Sequence, residues 1–537
     1  MLKRKTLFYI IFFAILVMAG VHLYDMHGIK THDEPREITS KYGAYLATQH
    51  AIYANDFDSA DKFIREFDDV NYETVRNTRC IAEFLGGKIS ADIEKIVDDK
   101  NPALRIIYDA HLVQNNKWDD VYNRHKNDKS ALYAPFRIWS GVAKNRITET
   151  LKYIDTLESN SSWRAFLRGQ VYAEQGDIDK AVAAFTDVDP EFLNINDYLY
   201  LMSFYTAHNL DVNASDLRQK FSSVPGGMFM AEYNDIPNWE MYHGYKNALA
   251  FNLVQNVSHT KIIMYSDLSV LMLRFAQIIG PETPFFKNTT DYYIGQFFVN
   301  FGGDYAKFFN NIDSDNPFYL FGQMQIADAD NSGRTMERIL RREPLFIPAL
   351  NKVVARHTAN GDKRIALRTI NRAIDNKNIS DQGRAYLLKR RALVYLLFDD
   401  TKRAQADIHS AAKIFNDVDG EILAIQSRIW VAQGRELDNA YKFALTMVKE
   451  NPTDTVTWDT LAVVINAREG ADAAFNILER VGANANNCSS LFEHLGDAYL
   501  ARGDKQMARE SYNRAIELAN DGLSVIPKIK KKIRKIK

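Results

Sequence analysis

Few residues in this chain of 537 have types and spacing that could do chemistry. Asp328-Ala-Asp330-Asn-Ser332-Gly333 places oxygen side chains at alternate positions, as a calcium-binding loop does. Such a loop needs a bidentate Glu at its twelfth place, and here that place is Ile339. The string therefore reads as a turn between helices with capping aspartates. The 12 histidines form no HExxH, and there is no Cys/His cluster. Leu85-Gly-Gly-Lys88 lacks the upstream glycine of a phosphate-binding loop, and no G-x-S-x-G elbow occurs. Cys80 and Cys488 stand 408 positions apart and can build neither a disulfide framework nor a multi-thiolate zinc site. They read as small buried hydrophobes. The expectation is a protein that is not an enzyme, with no catalytic residue, metal or cofactor.

Composition points to what positions so little chemistry. Gly and Pro number 26 and 13, well below the roughly 12% of an average protein, while 46% of residues are hydrophobic. That favours a long helical chain with several domains or an extended repeat array. Net charge is −1 but unevenly spread: Lys3, Arg4 and Lys5 open the chain, and seven cations fall within 528–537. Without those ten, 57 basic residues face 68 acids. An acidic body with basic ends does not resemble a nucleic-acid-binding domain, and no nucleic acid is expected.

After the basic stub 1–6, residues 7–24 run without formal charge if His22 is neutral. As a helix they span about 27 Å, close to the thickness of the hydrocarbon core. The basic flank stays cytoplasmic, so this is expected to be a transmembrane signal anchor in a bacterial inner membrane with everything after Tyr24 in the periplasm. The alternative is a signal peptide cleaved near Val17-Met-Ala19, giving a secreted protein. No other stretch is apolar and long enough; Ile262 to Ile279 contains Asp267 and Arg274. Residues 25–40 read as a polar linker.

Self-similarity organises the rest. Ala406, Ala440, Ala474 and Ala508 are spaced by 34 residues. Around the last, residues 489–522 carry Phe492, Leu495, Gly496, Tyr499, Gly503, Ala508, Tyr512 and Ala515. This resembles the tetratricopeptide repeat, W-x2-L-G-x2-Y followed by A-x3-F and a closing Pro, with Asn520 in the Pro slot. Residues 455–488 supply Trp458, Leu461, Ala462 and Ala474, and residues 421–454 supply Ala440, Ala444 and Pro452. Residues 347–380 show Gly361, Asp362 and Ala366; residues 162–195 show Gly169, Tyr172, Gly176, Asp177, Ala181 and Phe185. Copies at 41–74, 102–135 and 195–228 carry Asn55-Asp, Asn116-Lys-Trp118 and Tyr198/Leu201/Tyr205. The spacing also puts Ser332 in a packed alanine slot, with Pro344 as a corner. Small residues let antiparallel helices approach, and aromatic ones fill the space between hairpins.

The resemblance implies an all-α fold, a right-handed superhelical solenoid of antiparallel helix pairs, behind the transmembrane helix. Its parts are N-terminal repeats over 41–224, an irregular segment over 225–312, C-terminal repeats over 313–522 and a basic cap over 523–537. The irregular segment holds 18 aromatics in 88 residues, about 20% against 12% overall. These rings are either core or an exposed ligand platform. In the tail, Ile526, Ile529, Ile533 and Ile536 share a helical face, which suits a solvating cap or a basic amphipathic helix meeting anionic lipid or an acidic partner. The resemblance further implies a protein-binding scaffold that takes a peptide or protein segment in a concave groove. Helical geometry points Trp163, Phe166, Gln170, Ile425, Ile429, Asp459, Val463, Glu493 and Asp497 into it. The second functional reading is an accessory component of an envelope export or polysaccharide-secretion machinery.

Overall fold

The hairpins of this protein are set by their turns. In the computed structural model the residue after a first helix adopts a left-handed conformation: Asn55, Asn116, Asn145, Gly176, Asn209, Gly361, Asp399 and Gly503 all have φ between 57° and 86°. Asn and Gly tolerate that region best, which is why they recur there. The next residue often caps the second helix. The carboxylates of Asp56, Asp177 and Asp504 accept hydrogen bonds from the backbone N–H of Ser59, Lys180 and Met507 at 3.2, 3.3 and 3.0 Å. Each such cap is worth about 1 kcal/mol.

The structure describes residues 41–536 apart from 67–72, 96–100, 129–130, 223–226, 232, 234, 260–265, 330–332, 378, 416–419 and 486. The basic stub, the 7–24 anchor segment and the 25–40 linker lie outside the described residues, as do Asp330, Asn331 and Ser332. Among the described residues there is no strand, and no helix is long and apolar enough to cross a membrane. The described helices form fourteen successive pairs from Lys41–Tyr53/Phe57–Arg65 to Ser489–Ala501/Lys505–Leu518, followed by a single helix Ile526–Lys535. Two pairs, Glu73–Leu85 with the 3-10 turn Ala91–Lys95 and Ala134–Ala143/Ile147–Asp155, fall between the spaced copies.

A second rule follows from the caps. Four residues after the cap comes a fully buried small side chain: Ala60, Ala181, Ala366, Ala404, Ala440, Ala474 and Ala508. Ala406 does not hold this slot; it is exposed, and Ala404 takes its place. The interval from Ala404 to Ala440 is 36 residues, so the two extra positions lie after Ala404, in a stretch that holds the 15-residue helix Thr401–Phe415. Eight residues after the cap lies a large buried group, such as Phe185 or Tyr512. Each sits against a first-helix glycine. A Cβ at Gly169 would lie 2.3 Å from Phe185, and one at Gly496 would lie 2.6 Å from Tyr512.

The segment 225–312 is two further hairpins, Tyr245–His259/Ser266–Ile279 and Pro284–Phe301/Tyr305–Asn310, preceded by short turns. Its rings are core. Phe251, Phe275, Phe286, Phe298 and Phe309 are buried, and among its described large hydrophobic side chains only Tyr245 and Phe301 are exposed. Helix Tyr245–His259 packs against Ala134–Ala143, and Ser266–Ile279 packs against Glu73–Leu85 and Pro102–Gln114. The chain thus folds back across its own earlier hairpins. Phe57 meets Phe298 at 5.5 Å, and Asn55 Nδ2 donates to the carbonyls of Phe301 and Gly302. Phe229 packs on the cores of both halves, meeting Phe346 at 5.4 Å.

Candidate functional site

The nine residues expected to face a groove fall in two places. Trp163, Phe166 and Gln170 lie on helix Ser161–Glu174 in the N-terminal half. Phe166 is buried against Phe185 and Tyr200. Half-buried Trp163 meets Phe192 and His259 edge-on. Gln170 is buried, and its Oε1 accepts from Asn252 Nδ2 at 2.9 Å. Asn252 belongs to helix Tyr245–His259, so this part of the concave face is occupied by the chain itself.

A buried polar network holds that helix in place. Trp139 Nε1 donates to Asn252 Oδ1 at 2.8 Å, and Asn252 Nδ2 also reaches Gln255 Oε1 at 3.1 Å. Gln255 Nε2 donates to Asp197 Oδ1 at 2.7 Å, and His259 Nε2 lies 2.5 Å from Asp197 Oδ2. Asp197 also closes a capping box with Asn194. Such groups are buried at little cost only where they are paired; here Gln170 Nε2 is the exception, buried without a hydrogen bond.

The other six line the first helices of the C-terminal half. Ile425, Ile429 and Asp459 are buried; Val463, Glu493 and Asp497 are half-buried. Asp459 is the centre of a polar ladder between three hairpins. Its carboxylate takes Arg428 Nη2 at 2.7 Å, Ser490 Oγ at 2.6 Å and His494 Nδ1 at 2.7 Å. Burial alone would push this carboxyl up, but the charges of His494 and Arg428 prevail and hold it well below the usual carboxylate range. Burial pulls the His494 imidazole down; Asp459 outweighs it and leaves it above the ordinary value.

Glu493 and Asp497 already grip a helix. Lys532 of Ile526–Lys535 sits between them at 2.8 and 2.7 Å, and Tyr512 donates to Asp497 at 2.6 Å. Burial would lower the Lys532 ammonium, but the two carboxylates raise it above the ordinary lysine value. The helix buries Ile529 and Ile536 and half-buries Ile526 and Ile533, so the four tail isoleucines share a packed face. It also crosses the array. Lys528 Nζ reaches the Leu397 carbonyl at 2.8 Å and Asp399 at 2.6 Å, and Pro527 rests on Gly361.

Chemistry elsewhere is sparse. Among the described residues no three His, Cys, Asp or Glu side chains converge as a metal site. Cys80 and Cys488 are buried, and burial pushes both thiols up to about 11, which disfavours the thiolate.

Residues 490–521 match the family model of the tetratricopeptide repeat. Gly496, Ala508 and Tyr512 are the packing residues of the matched hairpin, and Gly169, Ala181 and Phe185 occupy the same relative positions. Two solved structures are similar to the chain. One is a tetratricopeptide repeat protein from Parabacteroides merdae, 14% identical with a TM-score of 0.32, covering 55% of this chain and 99% of that one. The other is the APC/C hetero-tetramer Cut9-Hcn1, 14% identical with a TM-score of 0.32, covering 90% of this chain and 96% of that one. No curated protein matches the chain.

Sequence reasoning found the packing slots of the repeated hairpins but not what fills the groove. The signal was present in part. Gln170, Asp197, Asn252 and Gln255 are polar residues inside otherwise apolar helical stretches. Such residues either face water or pair with one another.

Proposed function

We propose that this protein is a non-enzymatic scaffold, tethered to a bacterial inner membrane by residues 7–24 with its helical array in the periplasm, and that it binds a protein segment along its first helices. The observation that carries the reading is the grip of Glu493 and Asp497 on a cationic helix at 2.8 and 2.7 Å. It supports a partner segment that is helical and basic and competes with the chain's own tail for that acidic pair. Trp163 and Val463 are the other groove residues left partly open. The outward cations Lys530, Lys531, Arg534 and Lys535 are exposed and suit an acidic partner. A lipid surface is a poorer fit, because the isoleucine face a membrane would take is packed on the chain. A role as an accessory component of envelope export or polysaccharide secretion is a narrower form of the same reading. Direct glycan stacking on 225–312 is not favoured, because most of its described rings are buried or half-buried.

Two experiments test it. Protease added outside the inner membrane of spheroplasts should digest the array; digestion only after lysis rejects the topology. In-cell crosslinking should then capture one defined partner, and charge reversal (Glu493→Lys with Asp497→Lys) should abolish capture. Unchanged capture by a folded variant rejects the surface.

A further inference from the structure

A cleft opens where the first hairpin meets helices Ser266–Ile279 and Pro284–Phe301. Its larger part has a volume of about 750 Å³, within the range of small-molecule sites. An adjoining part of about 300 Å³ shares Asp58, Arg274, Lys307 and Phe308 with it. The charges around it fall into two groups. Lys307 pairs with Asp58, and Lys287 pairs with Asp291. Asp313 accepts from Asn288 Nδ2 at 2.8 Å, and Glu282 is exposed at the rim. Arg274 has no such partner. Among the described residues no carboxylate forms an ion pair with it, and its Nε is sealed from solvent without a hydrogen bond.

The guanidinium is nevertheless held in position. Its Nη1 donates to Gln277 Oε1 at 2.7 Å, and Gln277 Nε2 is anchored to Thr290 Oγ1 at 2.8 Å and Asp291 Oδ1 at 2.9 Å. The Phe308 ring lies 5.8 Å away. Burial pulls the guanidinium below its ordinary pKa, and the more distant Asp291 and Asp58 only partly offset this. A desolvated cation without a counter-ion costs stability. The same cation, preorganised by a fixed amide, is what an anionic ligand needs.

We infer that this cleft binds a carboxylate-bearing small molecule, its carboxylate on Arg274 and its apolar body along Phe286 and Phe308. One carboxylate fits better than a phosphate monoester. The lining is already net acidic, with Asp56, Asp58, Glu282, Asp291, Asp304 and Asp313 against Arg274, Lys287 and Lys307, so the second charge of a phosphate would meet more repulsion than one carboxylate does. None of the residues involved is among Trp163, Val463, Glu493 and Asp497, named above for a protein partner.

Calorimetric titration of the detergent-solubilised full chain tests this, with phenylacetate, phenylacetamide and phenyl phosphate as probes. Phenylacetate should bind one to one, and the neutral amide and the phosphate should each bind at least roughly tenfold more weakly. Arg274→Met should reduce phenylacetate binding by a similar factor, yet melt at or above the wild-type temperature, because it removes an unpaired buried charge. The proposal is overturned if phenylacetate does not bind the wild type, if it binds the variant equally well, or if the phosphate binds more tightly. It is also overturned if Arg274→Met melts lower or fails to fold, since Arg274 would then be a structural cation.

Discussion

The two halves of this array both close on themselves, by different chemistry. Hairpins 41–310 close with apolar helices and amides. Helix Tyr245–His259 lies inside the curve, fixed by Trp139, Gln170 and Asp197, and Phe57 meets Phe298 at the seam. Hairpins 318–518 close with a charged tail. Lys528 and Lys532 bridge to Asp399, Glu493 and Asp497, and Asp459 organises the ladder behind them. The first closure is mostly core, with the surface ion pair Lys307–Asp58 at its seam. The second rests partly on ion pairs at the surface, which salt and pH weaken. On the function proposed above, exchange of a partner is expected in the C-terminal half.

The comparison is broken most directly at Asp197. Asp197→Ala strands Gln255, His259 and the Asn194 N–H and should cost about 3–5 kcal/mol. Hydrogen exchange should rise across 134–310 and stay unchanged across 420–535; an equal rise in both would show one cooperative unit. Next is Gly496→Ala, whose new Cβ would overlap the Tyr512 ring and cost about 1–3 kcal/mol. Its destabilisation should be confined to the C-terminal half, measured the same way.

Lys532→Met should cost about 1 kcal/mol. It should speed exchange within 526–535, and the difference from wild type should shrink in 1 M salt. A salt-independent difference would mean that packing of Ile529 and Ile536, not charge, fixes the tail.

The smallest expected effect is a pH dependence from His494, which faces Asp459, Arg428 and Glu493. Its folded pKa is raised, so its contribution is full below the ordinary imidazole value near 6.5 and is lost as pH rises through the folded value. The Asp459 contribution has the opposite sign: present above about 3.9 and lost as pH falls toward its depressed folded value. Urea midpoints of the C-terminal half should fall on the alkaline side, and His494→Gln should flatten that limb. An unchanged limb in the variant would assign it to another group.

Much of the local fold was legible. Asn55-Asp56, Gly176-Asp177 and Gly503-Asp504 mark hairpin turns because a left-handed residue followed by a capping aspartate is decided within a few positions. The hairpin at Asn145 was harder to read, because Arg146 caps nothing with its side chain and Thr150 replaces the alanine. Even spacing also misled: Ala406 keeps the 34-residue interval, yet Ala404 is the packed residue, because the interval from it to Ala440 is 36.

By itself, then, the sequence determined a helical array, its turns and its small-residue slots, since these depend on contacts within one hairpin. Only the tertiary structure decided that the array closes on itself and so which groove residues stay open. The decisive pairs lie far apart in the chain: Trp139 with Asn252 at 113 positions, Gln255 with Asp197 at 58, and Lys528 with Asp399 at 129. No local pattern of propensity or period encodes such a pairing. It is set by how a small rotation per hairpin accumulates until distant helices meet.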